Sequence, residues 1–163
     1  MGESVAKHRL SKAVMLSIRP KWCEKICGGE KTIEVRKTRP KLDAPFKCYI
    51  YCTQSGVALG AWGKHGKVIG EFTCDCIYGL APLNHAPDDV EQQACMTPEA
   101  IVTYPAVVGY GLHISYLTIY YTPKALIAFP TWKNRKSCSK TGYQTTPCTH
   151  ETTFPVHPAF TYA

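Results

Sequence analysis

Lys31, Glu34 and Arg36 stand close together in the segment Gly29-Glu30-Lys31-Thr32-Ile33-Glu34-Val35-Arg36, two cations around one carboxylate. Such a set can hold an anion, frame the polar edge of a ring, or move a proton. In an extended strand Glu34 and Arg36 project to one side together with Thr32, while Ile33 and Val35 project to the other. Lys31 has the opposite parity from its two partners, so it must reach them from the turn that precedes the strand. Gly29 suits that turn, because glycine accepts backbone conformations closed to other residues. In this arrangement Glu34 can accept from an exocyclic amine while Arg36 fixes a phosphate or a carbonyl. The same two side chains can also form an ion pair that only fixes the fold. Trp62, in a Gly-rich stretch, is a candidate for stacking on a base, whereas Trp22 reads as helix core. His113 and Ser115 share one face of a late strand, where they either line the same cleft or make structural hydrogen bonds.

The elements that must position these residues follow from pattern. Residues 14–18 are a short apolar run that predicts a buried strand. Pro20 suits the first turn of a helix, Trp22 and Ile26 with Cys23 and Cys27 give it an apolar face, and Gly28-Gly29 ends it. Residues 31–37 predict the strand that carries Glu34 and Arg36. Residues 46–52 and 67–78 predict two more; in the second, Val68, Phe72, Cys74 and Cys76 alternate with Ile69, Glu71, Thr73 and Asp75. The stretch 53–66 reads as an exposed loop, and 80–95, polar and Pro-containing, as a long surface connection. Thr97-Pro98-Glu99 opens a helix to about Tyr104, with Thr97 as its cap. Residues 112–122 predict a long central strand, and 123–129 a short helix or turn. About five strands and two or three short helices result, an α+β chain the size of one domain that fits a small mixed or antiparallel barrel.

Charge is distributed unevenly. Residues 1–41 hold 11 Lys and Arg against 4 Glu, which accounts for the whole net charge of +7, and the rest of the chain balances at 8 of each sign. One-sided positive charge favours a polyanionic partner, since Lys and Arg displace the counterions condensed on phosphates. A solubilising basic end is the other reading of the same numbers. The cysteines number nine, an odd count, and residues 1–13 are polar and basic rather than apolar. Both features predict reduced thiols and a cytoplasmic location rather than a disulfide framework. No apolar stretch approaches the roughly 20 residues that a membrane helix requires. Zinc is a competing use of Cys138, Cys148, His150 and His157, or of the pairs Cys23/Cys27 and Cys74/Cys76. Strong structural zinc sites show two close ligand pairs, and the tail offers only Cys148-x-His150, so no metal and no cofactor is assigned. Residues 1–13 thus read as a flexible basic lead-in, 14–129 as the domain, and 130–163 as a loosely structured Thr/Pro/His-rich tail. Val156 is the only Val, Leu, Ile or Met in that tail. Such a segment lies loosely or covers the domain through Trp132, Phe154, Phe160 and Tyr162.

The octapeptide resembles the G-x-K-x-x-E-x-R signature of the ASCH family, a branch of the PUA-like barrels. A strand with Leu16-Ser17-Ile18 leading into a short helix matches the context of that signature. The strand Lys67-Val68-Ile69-Gly70-Glu71-Phe72 resembles a later barrel strand of the family. Gly111-Leu112-His113-Ile114-Ser115, with Ile119-Tyr120 and Pro123-Lys124-Ala125-Leu126, is similar to the end of small, often phage-associated ASCH proteins. The resemblance covers about residues 14–129. It implies a small PUA-like β-barrel of about five strands with two or three short flanking helices, and a cleft that takes RNA, another nucleic acid or a nucleoside. Lys31, Glu34, Arg36, Trp62, His113 and Ser115 are then the candidate ligand-binding residues.

Some small ASCH proteins are amidohydrolases that remove an acyl group from N4-acylated cytidine with a Lys, a Thr and a Glu. Here the Lys is Lys31, but Glu34 stands where the Thr would be. Ala94-Cys95 precedes Met96-Thr97 where the Glu would be, and Glu91 is the closest preceding carboxylate. Glu34 also favours the charged Lys31 ammonium, which opposes its use as a base. If the chain is an enzyme, Lys31 and Glu34, the latter as general base, are the catalytic pair. Ribonuclease activity, also found in the wider family, would ask the same pair to act on a 2′-hydroxyl.

Overall fold

The computed structural model describes residues 12–54, 63–80, 86–104 and 109–129, together with the backbone of one strand at 150–153. The elements are β1 (Lys12–Ile18), α1 (Pro20–Cys27), β2 (Ile33–Arg36), β3 (Phe46–Cys52), β4 (Lys67–Gly79), α2 (Val90–Ala94), α3 (Pro98–Thr103), β5 (Tyr110–Ala125), a 3-10 turn (Leu126–Ala128) and β6 (His150–Thr153). Five strands in the order β2-β5-β4-β3-β1 form a mixed sheet curled into a half-barrel, and β6 adds a strand beyond β1. β1 and β3 run parallel; every other neighbouring pair is antiparallel.

The sequence pattern explains where each strand sits. In β1, Val14, Leu16 and Ile18 pack into the main core with Cys23 and Ile26 of α1. Ala13 and Met15, on the other face, meet Val68 and Phe129. A strand covered on both sides reads as an unbroken apolar run rather than an alternation. β3 has one fully buried face, Phe46, Cys48, Ile50 and Cys52, while between them Tyr49 and Tyr51 are half-buried against the Met15 and Phe129 cluster. Pro20 opens α1 at its first position, and Gly29, at φ +76, turns the chain out of it. The amides of Glu30 and Lys31 both donate to the Lys25 carbonyl, closing the helix and delivering Lys31 to the mouth of β2.

The pairing of β4 with β5 slips register at three places, and Tyr116 on β5 takes a left-handed φ of +49 at one of them. Such bulges bend and twist a sheet toward closure. At another slip, a Cβ on Gly70 would lie 2.5 Å from the backbone carbonyl oxygen of Thr118 and 3.0 Å from the Ile119 side chain. Backbone cannot step aside as a flexible side chain can. Gly70→Ala is therefore expected to destabilise the fold by about 2–3 kcal/mol, read as a lower urea midpoint. A shift of less than about 0.5 kcal/mol would show that β4 and β5 can part there without penalty.

Residues 80–95 depart from the sequence reading. Instead of a surface connection throughout, their end forms α2, where Val90 and Ala94 pack with Ile33, Val35 and Ile101. The reason is local: two apolar residues four apart suffice to seat one helical turn when a strand lies beneath. Within the tail, β6 pairs antiparallel with residues 12–15 of β1. Trp62, Cys138, Cys148 and His157 lie outside the described residues.

The seven described cysteines are all free thiols. Cys23, Cys48, Cys52 and Cys74 are fully buried. Burial pushes the Cys74 thiol up to about 12 and drives Cys23 and Cys48 well above the ordinary cysteine value. Among the described residues no three His, Cys, Asp or Glu side chains are grouped to hold a metal. Nor is any described helix long and apolar enough to cross a membrane.

Candidate functional site

A cleft of about 840 Å³ opens between α1, β2 and the segment from Cys95 to α3. That volume lies in the range of small-ligand sites. Lys31, Glu34 and Arg36 all line it, as do Trp22 and Tyr104. Thr32, Glu34 and Arg36 were expected on one strand face with Lys31 reaching them from the turn, and the turn does deliver it. The amide of Thr32 donates to the Gln93 carbonyl, which clamps the turn to α2.

All three charged side chains are nearly buried: Lys31 is 2% exposed, Glu34 5% and Arg36 4%. The Lys31 Nζ donates to the Ala94 carbonyl at 2.6 Å. It lies 3.6 Å from Glu34 Oε2 and 4.9 Å from the centre of the Trp22 ring. Arg36 Nη1 donates to the Ser17 carbonyl at 3.0 Å and lies 3.6 Å from Glu34 Oε1. Arg36 Nε is buried and has no hydrogen-bond partner among the described residues. The bond from Arg36 to Ser17 joins β2 to β1, the two ends of the five-strand order, so this side chain helps to close the half-barrel.

Burial lowers the Lys31 pKa from the ordinary lysine value of 10.5, and the nearby Glu34 carboxylate opposes the shift without cancelling it. The floor of the cleft thus holds two cations and one carboxylate in a poorly hydrated place, where an added negative charge is favoured. The rim strengthens this balance. Arg19, Lys21 and Lys37 also line the cleft, giving, among the described residues, five cations against the single carboxylate of Glu34. Lys21 Nζ sits 4.3 Å from the Trp22 ring centre, and Lys37 Nζ 5.1 Å from that of Tyr104. Each aromatic wall therefore carries a cation beside it.

His113 and Ser115 do not line the cleft. They face β4 across the sheet, where His113 Nδ1 lies 2.6 Å from Asp75 Oδ1 and Ser115 Oγ donates to the Thr73 carbonyl at 2.9 Å. Their shared parity on β5 was legible, but the same parity faces Thr73 and Asp75 on the neighbouring strand. Trp22 combines two roles, since one side packs against the main core and another faces the cleft. Sequence reasoning did not single out Arg19, Lys21, Lys37 and Tyr104. The charge excess of residues 1–41 was the signal for the three cations. Nothing in the chain announced Tyr104, which reaches the cleft because α3 is held over it.

No protein-family profile matches the chain, and no curated protein does. Solved structures do. The ASCH protein of Zymomonas mobilis matches with a TM-score of 0.54 at 18% identity, over 71% of this chain and 74% of that one. A tyrosine-to-phenylalanine variant of that protein matches at 17% identity and the same TM-score, over 71% of this chain and 76% of the other. Its serine-to-alanine variant matches with a TM-score of 0.54 at 18% identity, over 71% and 75%. The architecture is accordingly that of a small α+β, PUA-like half-barrel with a cation-rich cleft beside its first helix. Within that class the chain has the ASCH-type fold.

Proposed function

We propose that this protein binds RNA or another nucleic acid, or a nucleotide, in the cleft floored by Lys31, Glu34 and Arg36. The supporting observation is the composition of the lining: five cations to one carboxylate among the described residues, with Trp22 and Tyr104 as walls. Phosphates are held by such cations with release of counterions, and bases stack on exposed aromatic rings. A neutral apolar ligand would gain nothing from the cations, and a cationic one would be repelled. The location in keeping with this role is the cytoplasm, where the free thiols stay reduced.

Salt dependence tests this reading. Lys21 and Lys37 sit at the rim, so changing both to Ala leaves the floor intact. For a short single-stranded RNA, log K plotted against log salt is expected to lose about 1.4 units of slope in the double variant. An unchanged slope would remove the rim from the binding surface.

A second reading draws on Lys31 itself. A lysine whose pKa is depressed by burial comes closer to serving as a base or activating a water. This is the amidohydrolase alternative, in which Lys31 and Glu34 would cleave N4-acylated cytidine. Against it, the Lys31 ammonium is committed to the Ala94 carbonyl and flanked by Glu34, and Glu91 is not among the residues lining the cleft. Incubation with N4-acetylcytidine decides: release of cytidine that disappears in Lys31→Met supports the enzyme, and no turnover at high protein concentration eliminates it.

A further inference from the structure

The floor of the cleft has an unfilled hydrogen-bonding pattern. Glu34 Oε2 lies 3.6 Å from Lys31 Nζ, and Glu34 Oε1 lies 3.6 Å from Arg36 Nη1. Both separations exceed the usual 2.7–3.2 Å of an N–H···O bond, so charge holds the carboxylate in place while neither contact fills an oxygen. The bonds these cations do make go to backbone: Lys31 to Ala94, Arg36 to Ser17. An ammonium has three donors and a guanidinium five, so among the described residues both retain unused N–H groups, and Arg36 Nε has no partner there. Taken in order from Lys31 through the two oxygens to Arg36, the floor offers donor, acceptor, acceptor, donor.

We propose that this floor selects guanine. The edge of guanine runs O6, N1–H, N2–H, N3, which is acceptor, donor, donor, acceptor, the complement of the order set by Lys31, Glu34 and Arg36. Glu34 receives N1–H and N2–H together, Lys31 meets O6, and Arg36 meets N3. The other bases fail at Glu34, because a carboxylate can only accept. Adenine presents one donor beside the N1 lone pair. Cytosine presents one donor followed by two acceptors, and uracil one donor between two acceptors. Each leaves an oxygen of a nearly buried carboxylate against a lone pair or without a partner, and a site built for a hydrogen bond rejects analogues that lack it. With N3 toward Arg36, the ribose leaves on the Arg36 side, and Arg19, Lys21 and Lys37, which also line the cleft, are the cations offered to the phosphate.

This selectivity rests on the nucleotide-binding reading above, and the test separates the two. Calorimetric titration of the full chain would compare GMP, AMP, CMP and UMP, then IMP, which lacks the N2 amine, and 1-methyl-GMP, which lacks N1–H. A second arm uses a short oligouridylate containing one guanosine, and the same oligomer with inosine, to tell free nucleotide from RNA as the source of the base. GMP, or the guanosine oligomer, is expected to bind at least tenfold tighter than its rivals, with inosine and 1-methylation each losing that advantage. Glu34→Gln should bring all bases within about threefold of one another; should that variant not fold, the inosine and 1-methyl arms on the native chain carry the test. Equal affinity for all four bases would overturn the guanine assignment and leave nucleotide binding standing. No binding by any nucleotide or oligomer would overturn both.

Discussion

Arg36→Ala is expected to lower the free energy of unfolding by about 3–5 kcal/mol, the cost of breaking a buried charge cluster by removing one member. Three losses coincide at this residue. The Ser17 carbonyl loses its donor, so the link between β1 and β2 goes. Glu34, 5% exposed, keeps only Lys31 as a counter-charge among the described residues, at 3.6 Å. A space opens where the buried guanidinium lay, and cavities in packed interiors add their own cost. Arg36→Lys should recover part of the loss through charge but not through the forked reach to both Ser17 and Glu34. Urea unfolding at neutral pH measures both variants. A loss below about 1 kcal/mol for Arg36→Ala would mean that the half-barrel closes without this side chain.

The second large effect belongs to Lys31→Met, which keeps the length of the buried stem and removes the ammonium. Affinity for a single-stranded RNA or GMP is expected to fall about a hundredfold, or about 2.7 kcal/mol. A matching loss in a rim variant but not here would put the ligand outside the floor. The variant also carries a pH signature. Burial sets the Lys31 pKa of the folded protein below the ordinary value of 10.5. Between that lowered value and about 10.5 the unfolded chain binds more protons at this site than the folded one, so the contribution of Lys31 to stability rises with pH. Below the window both states are protonated and the full cost of burying the charge applies. The stability of the native chain relative to Lys31→Met should therefore climb as pH approaches 10.5. A difference that stays flat would deny that burial governs this lysine.

Most of the scaffold was legible because its elements obey simple periods. The alternation of Phe46, Cys48, Ile50 and Cys52, the Pro20 start and Gly28-Gly29 stop of α1, and the Thr97 cap, whose Oγ1 accepts from the Ala100 amide at 3.3 Å, all follow from the chain itself. The parts that escaped depend on tertiary support. α2 is a helix of 5 residues, too short to announce itself by periodicity, and it exists because Ile33 and Val35 offer a surface for Val90 and Ala94. Yet α2 supplies the carbonyl that anchors Lys31, so the missed element is the one that completes the triad. At the site, strand parity grouped Glu34 with Arg36, and turn geometry added Lys31. Parity also suggested His113 and Ser115, because an alternating pattern names a face without naming what stands opposite it. Here Asp75 and Thr73 stand there.

The four sealed thiols carry a last consequence for anyone handling this protein. Cys23 belongs to the first helix, Cys48 and Cys52 to the third strand and Cys74 to the fourth, so the sulfur atoms span the joint between helix and sheet. Fully covered and held in the protonated form, they present no nucleophile to an alkylating or oxidising reagent while the layers stay together. Chemical damage at those positions is therefore a record that the main core has opened, written into the covalent structure of the molecules that did so.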